Sequence, residues 1–235
     1  MSWFSEFYNF RVVWQYFPQF MEGLWTTVWV SAVCLLLSLI LGGFVALMRM
    51  SSNPYVWRPA AIYIQSVRAT PLIVQIYILY YGLSNIPVLD VSVPAIICGI
   101  LALTLHTTAY MSEIFRAGIE SVSKGQWEGA LSLGMSRGKT FIHVIYPQAF
   151  VTVLPPLIGQ ASVLIKDSSL LSFITVMELM SVGLVILSDR VMPVESFITP
   201  ALFYLAIYTA LVLAAERVKN VLGGKGKKSV GGSYV

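Results

Sequence analysis

Charge is what this chain has least of. Only 11% of its 235 residues are Asp, Glu, Lys or Arg, against roughly 25% in soluble domains. With 57% hydrophobic residues and a mean hydropathy of +0.77, the deficit excludes an ordinary soluble domain and a basic nucleic-acid-binding stripe. Histidine is scarce too. His106 and His143 lie in different segments, and no H-E-x-x-H pair and no Ser/His/Asp or Cys/His set can be assembled, so nothing supports catalytic chemistry. The two cysteines, Cys34 and Cys98, sit in apolar runs. They fit buried free thiols and exclude a disulfide or metal framework. A phosphate-binding G-x-x-x-x-G-K-[ST] loop is missing as well, because Gly223–Ser229 offers Gly and Lys at the wrong spacing.

What the chain has is long apolar runs. Leu24–Met48 is the cleanest; its roughly 25 residues exceed the ~20 needed to cross a core of about 30 Å. It follows a stretch holding Glu6, Arg11 and Glu22, so it is expected to stay in the mature protein rather than be cleaved as a signal. Further spans are expected at Ala60–Leu83, Pro94–Phe115, Ala149–Ile165 and Phe197–Ala215. Leu170–Leu187 is long enough but polar, with Ser172, Thr175, Glu178 and Ser181, and reads as re-entrant or partly spanning. The expectation is therefore an all-α integral membrane protein of about five transmembrane helices.

Charge placement supports that count. Five spans put the N-terminus outside and the C-terminus inside. Arg49, Arg58, Arg68, Arg116, Lys124, Arg137, Lys139, Arg217, Lys219, Lys225, Lys227 and Lys228 then fall inside, Arg11 and Arg190 outside, and Lys166 at depth. Cytoplasmic loops carry such an excess of Lys and Arg, and six spans would split it between the two sides. Residues 1–22 form an aromatic segment expected to lie as an interfacial helix on the outer face, residues 23–218 the membrane domain, and 219–235 a disordered cytoplasmic tail.

The most informative stretch is the loop at about 117–147. Ser123 with Gln126 fits a capping box, so a helix is expected from Lys124 through Trp127–Leu133. Gly134 stands where a helix C-terminus needs a left-handed residue, and Pro147 suits the first turn of the next helix. Glu128-Gly129-Ala130, then Gly134, then Val144-Ile145-Tyr146-Pro147 resembles the E-A-A…G…I-x-L-P loop of ABC importer permeases of the polar amino-acid uptake family. Gly129, Val144 and Tyr146 are departures from that pattern. Gly23-Leu24, Thr26-Thr27, Arg68-Ala69-Thr70-Pro71-Leu72, Ala109-Tyr110, Glu113, Arg116, Pro147-Gln148-Ala149 and Lys166-Asp167-Ser168-Ser169-Leu170 extend the resemblance over residues 20 to 215, with Ala69 and Ser168 as further departures.

The resemblance implies a type I ABC importer permease fold with a cytoplasmic coupling helix carrying Gln126, Trp127, Glu128, Gly129, Ala130, Leu131 and Gly134. It implies cytoplasmic ATPase subunits that hold ATP and Mg, no cofactor in this chain, a second permease subunit, identical or a sibling, and an extracytoplasmic amino-acid-binding protein. The location implied is the bacterial inner membrane.

For the solute, ionisable groups at membrane depth cost at least ~2.5 kcal/mol each on insertion scales and default to functional candidates: Glu113, Lys166, Asp167 and Glu178. His106, Tyr110 and Glu113 recur on one helical face; a hydrogen-bonded interior histidine is an equal reading of His106. Ser168, Ser169 or Asp167 is expected to cap a helix starting at Leu170, whose N-terminus receives a solute carboxylate, while Asp167 or Glu113 takes the ammonium. The competing reading pairs these charges inside a subunit interface. Thr70 is expected to cap a helix with Pro71 at its first position, breaking the second span. Two other function classes remain: an ion-coupled secondary transporter relaying through His106, Glu113 and Asp167, and a non-transporting scaffold.

Overall fold

A computed structural model describes residues 8–84 and 93–224, with side chains at 8–83 and 93–217. Among these residues every regular element is helical: α1 (Phe10–Gln15), α2 (Phe17–Arg49), α3 (Pro54–Ala69), α4 (Leu72–Ser84), α5 (Ala95–Glu120), α6 (Lys124–Ser132), α7 (Arg137–Thr140) with a π-turn at Phe141–Ile145, α8 (Tyr146–Asp167), a 3₁₀ turn at Ser168–Ile174, α9 (Leu179–Arg190) and α10 (Pro193–Gly224).

Phe17–Arg49, Ala95–Glu120, Arg137–Ile174 and Pro193–Arg217 are each long and apolar enough to cross a membrane. α3 and α4 pass the same test as a pair bent by 108°. Hydrogen bonds decide how to count that pair. Cys34 Sγ donates to the Ile100 carbonyl and Ser38 Oγ to the Thr104 carbonyl, both across 66 residues. A constant offset means that α2 and α5 run parallel. The chain between them must therefore return across the membrane, and α3–α4 is one broken crossing. Five spans result, as expected.

α5 is the central helix. Its Ala102, Leu103, Thr104, His106, Thr107, Thr108, Ala109, Met111 and Ser112 are all buried, and it packs on α2, α4 and α8. The larger apolar cluster joins Val30, Ile76, Leu103, Leu164, Leu171 and Ile174 from α2, α4, α5, α8 and the 3₁₀ turn.

The polar Leu170–Leu187 stretch does not cross. It splits into the 3₁₀ turn, a left-handed residue at Thr175 (φ 65°) and the 12 residues of α9, about 18 Å of helix. Both ends of α9 face the start of α2: Leu179 N–H donates to Thr27 Oγ1 at 3.3 Å, and Tyr16 donates to Asp189 at 3.1 Å. It is a partly inserted element on the side opposite the loop that carries α6.

Several local expectations change. No helix starts at Leu170: the hydroxyls of Ser168 and Ser169 donate backward to the carbonyls of Ile165 and Lys166, each at 2.7 Å, which tightens α8 into the 3₁₀ turn. The next helix starts at Leu179, and Glu178 caps it through Met180 N–H (2.9 Å) and Ser181 N–H (2.8 Å). Thr70 does not cap α4. Its hydroxyl donates to the Ser66 carbonyl at 2.9 Å and so closes α3, while the Pro71 carbonyl takes the first α4 bonds, from Val74 and Gln75, making Pro71 the N-cap. Ser123 occupies the N-cap of α6 without a side-chain capping bond, and the reciprocal half of the capping box is missing too, since Gln126 Oε1 accepts from Gln148 Nε2 at 3.3 Å.

At the start of the chain, α2 begins at Phe17, inside the segment expected to be interfacial, and the part of that segment at residues 1–7 lies outside the described residues. Asn9 N–H donates to Glu195 (2.6 Å) and Tyr8 bonds Thr199 (2.7 Å), which ties this end to α10. At the other end, residues 219–224 continue α10 rather than forming tail.

Candidate functional site

The first candidate is α6, which stands out from the bundle. Of its residues only Ala130 is buried; Gln126, Glu128, Gly129 and Leu131 are exposed, and Leu133 just beyond is 86% exposed. Gly134 ends it as expected, with φ 81°. Met135 N–H reaches back to the Ala130 carbonyl (3.2 Å) and Gly134 N–H to the Leu131 carbonyl (3.0 Å), the paired bonds of a Schellman cap. The chain reverses there, so α7 packs against α6 and leaves a cavity of about 570 Å³ between Trp127, Leu131, Arg137, Gly138 and Phe141. Leu131 and Leu133 give an otherwise polar helix an exposed apolar edge, the composition that a docking surface requires. The Glu128 carboxylate makes no hydrogen bond or ion pair among the described residues, its backbone carbonyl accepting from Ser132 Oγ at 2.8 Å.

The second candidate is a cavity of about 520 Å³ among α3, α5 and α8, lined by Arg68, Tyr110, Glu113, Arg116, Thr152 and Gln160 among others. Arg116 grips Glu113 with Nη2 at 2.7 Å and Nε at 3.1 Å, and reaches Glu120 with Nη1 at 2.6 Å. The Arg68 guanidinium lies 5.4 Å over the Tyr110 ring, with no ion pair among the described residues. The cavity therefore pairs an engaged carboxylate with a cation held only by a π face, an arrangement that suits a solute bearing a carboxylate.

Thr70, His106, Tyr110 and Glu113 fall on two neighbouring features. Tyr110 and Glu113 line the cavity. Thr70 and His106 meet instead through Gln75, whose Nε2 donates to Thr70 Oγ1 (2.8 Å) and whose Oε1 lies 3.0 Å from His106 Nδ1. Lys166 and Ser169 line a separate recess of about 250 Å³ with Pro200 and Tyr204; Lys166 is exposed, Asp167 half-buried and Ser168 buried. No hydrogen bond or ion pair among the described residues joins this group to Glu113 or His106.

Sequence reasoning passed over Gln75, Arg68 as a cavity residue, Arg116 as the partner of Glu113, and Glu178 as a cap. Gln75 carried a usable signal, being a lone amide in the apolar run Leu72–Leu83, where an unpaired polar group is costly.

Residues 15–225 match the protein family described as "Binding-protein-dependent transport system inner membrane component". The chain is similar to the nopaline transport system permease protein NocM of Agrobacterium fabrum, with 36% identity over 88% of this chain and 90% of the relative. It is similar to the probable glutamine ABC transporter permease protein GlnM of Bacillus subtilis, with 34% identity over 91% and 98%. Among solved structures it superposes on a chain of an amino acid ABC transporter crystallised with histidines, at a TM-score of 0.84 and 32% identity, covering 91% of this chain and 98% of that one. A chain of the inward-facing MetNI methionine ABC transporter shares the fold at a TM-score of 0.74 and 14% identity.

Proposed function

The chain belongs to the binding-protein-dependent inner membrane components of ABC importers, and from that membership we propose that its cargo is a polar amino acid. It is a multi-pass inner membrane protein and the permease subunit of the importer, not an enzyme. In these importers ATP hydrolysis belongs to a separate subunit, and a binding protein supplies the cargo.

In the proposed arrangement the N-terminus lies outside and the C-terminus in the cytoplasm. Support comes from the basic residues gathered on the α6 side. A second permease copy or sibling completes the pathway. Two ATPase subunits holding ATP and Mg seat α6 through Gln126, Trp127, Glu128, Gly129, Ala130, Leu131 and Gly134. ATP binding and hydrolysis rock the permease as rigid bodies.

The observation that carries this reading is the exposure of α6, an apolar-edged helix outside the bundle. An amino-acid cargo is supported by the relatives named for nopaline, glutamine and cystine transport and by the charges of the Arg68–Glu113–Arg116 cavity. Thr70, Tyr110 and Glu113 are proposed to meet the solute on one side of the pathway. Lys166, Asp167 and Ser169 meet it on another, with Ser168 holding their backbone. His106 joins this set only through Gln75.

Proteoliposomes holding the assembled importer test the reading with tritiated L-glutamine, L-arginine and L-cystine. ATP-dependent accumulation with all ion gradients collapsed is expected for at least one. Accumulation driven by a proton or sodium gradient without ATP would establish the ion-coupled alternative instead.

A further inference from the structure

A helix that breaks at membrane depth leaves its last carbonyls without partners. At the C-terminus of α3 two side chains supply them. Thr70 Oγ1 donates to the Ser66 carbonyl (2.9 Å). Gln75 Nε2, from the first turn of α4, shares its two hydrogens among the Val67 carbonyl (2.8 Å), the Thr70 carbonyl (3.1 Å) and Thr70 Oγ1 (2.8 Å). With its hydroxyl hydrogen committed to Ser66, Thr70 Oγ1 can only accept from Gln75.

This network fixes the orientation of the Gln75 amide. Three oxygens face one end of it, and a flipped amide would set its own oxygen against all three. The nitrogen therefore points at α3 and the oxygen at His106 Nδ1, 3.0 Å away. An oxygen only accepts, so Nδ1 of His106 carries a hydrogen and donates it. His106 sits in the middle of α5 and is 9% exposed. From there about 21 Å of unbroken helix leads to Glu120, and α6 begins at Lys124.

We propose that Gln75 is a positioning residue for transport: it clamps the 108° break between α3 and α4 to His106, so that the break moves with α5 and hence with the ATPase-facing helix α6. The clamp rests on the chain being a nucleotide-driven permease and is independent of which solute is carried. Without Gln75, α5 still follows the ATPase while the break itself loses its hydrogen-bonded tie to α5, the flanking helix α3 keeping its own bond from Tyr63 Oη to the Leu105 carbonyl at 2.6 Å.

Hydrogen exchange of the assembled importer, nucleotide-free and trapped with ATP and vanadate, reads this directly. In the wild type, trapping is expected to change exchange both at residues 66–78 and at residues 113–123. In Q75L, residues 66–78 exchange about tenfold faster and lose their response to trapping, while residues 113–123 keep theirs. T70S keeps the hydroxyl that closes α3 and is expected to keep the linked exchange response of the two regions.

A second pair serves where Q75L fails to assemble. Asn at position 106 places its amide nitrogen where Nδ1 was, whereas Gln places it near Nε2. H106N is expected to preserve the linked response and H106Q to lose it. A wild type in which 66–78 ignores trapping, a Q75L in which both regions still respond together, or an H106N that behaves like H106Q overturns the proposal.

Discussion

Tyr204 of α10 donates a 2.6 Å hydrogen bond to Oε2 of Glu178, a residue only 1% exposed. The same carboxyl group accepts from Met180 N–H, Ser181 N–H and Ser181 Oγ, and its backbone lies 3.0 Å from where a methyl on Gly23 would sit. Glu178 therefore joins α2, α9 and α10 at one point. Deleting its side chain strands buried donors at about 1–3 kcal/mol each.

E178A is expected to unfold at markedly lower temperature than wild type, and E178Q, which keeps one acceptor oxygen, to fall between them. Cys34 and Cys98 are both buried free thiols, so a thiol-reactive dye reports the transition without added labels. Equal melting of E178A and wild type would remove Glu178 from its structural role.

The contact between α9 and α10 is tight enough to test with one methyl group. A Cβ on Gly183 would sit 2.1 Å from the Ser196 carbonyl oxygen and 2.9 Å from Pro200 Cγ. Backbone has to move, so G183A is expected to cost about 1–3 kcal/mol and to lower yield in the membrane. G159A, with nothing within 4 Å of its added methyl, should be neutral or up to about 1 kcal/mol stabilising, the helix-propensity gain of Ala over Gly.

Gly134 has open space around it but a φ of 81°, so its requirement is conformational and not steric. G134A is expected to strain the turn by about 1–2 kcal/mol, leaving the membrane domain folded while loosening α6 against α7. Co-purification of the ATPase should fall with G134A and fail with G134P. Unchanged co-purification of both variants would contradict this use of the turn.

The Glu113–Arg116 pair predicts a separation of function from stability. E113Q leaves Arg116 with Glu120 as its remaining partner and is expected to cut uptake by about tenfold, a change of ~1.4 kcal/mol, with little effect on protein level. E120Q removes a partner that is half exposed, worth about 0–1 kcal/mol, and should leave uptake within about twofold of wild type. Similar losses in both variants would make the pair a structural pin.

The sequence showed the large-scale architecture because hydropathy and charge asymmetry are one-dimensional quantities: the five crossings and the polar partly inserted stretch followed from them, while the Lys124–Leu133 helix followed from its end signals. Gly134 was legible because a left-handed turn leaves few other choices. The helix starts near Leu170 and at Thr70 were misplaced for one physical reason. A Ser or Thr hydroxyl can cap the helix ahead of it or close the helix behind it, and local sequence does not say which. Ser168, Ser169 and Thr70 all turn backward, and the true caps are Glu178, well beyond the two serines, and Pro71, the residue after Thr70. Gln75, Arg116 and Tyr204 stayed hidden because their roles depend on partners brought together by packing.

Transport by this permease, as proposed, depends on α6 meeting a nucleotide-hydrolysing partner. A photo-crosslinking amino acid placed at Leu133 in the assembled importer tests that contact directly. The predicted result is a covalent adduct with the ATPase whose yield changes when ATP and vanadate are added. Adducts formed solely with the external binding protein or with lipid, at a yield that ignores nucleotide, would contradict it.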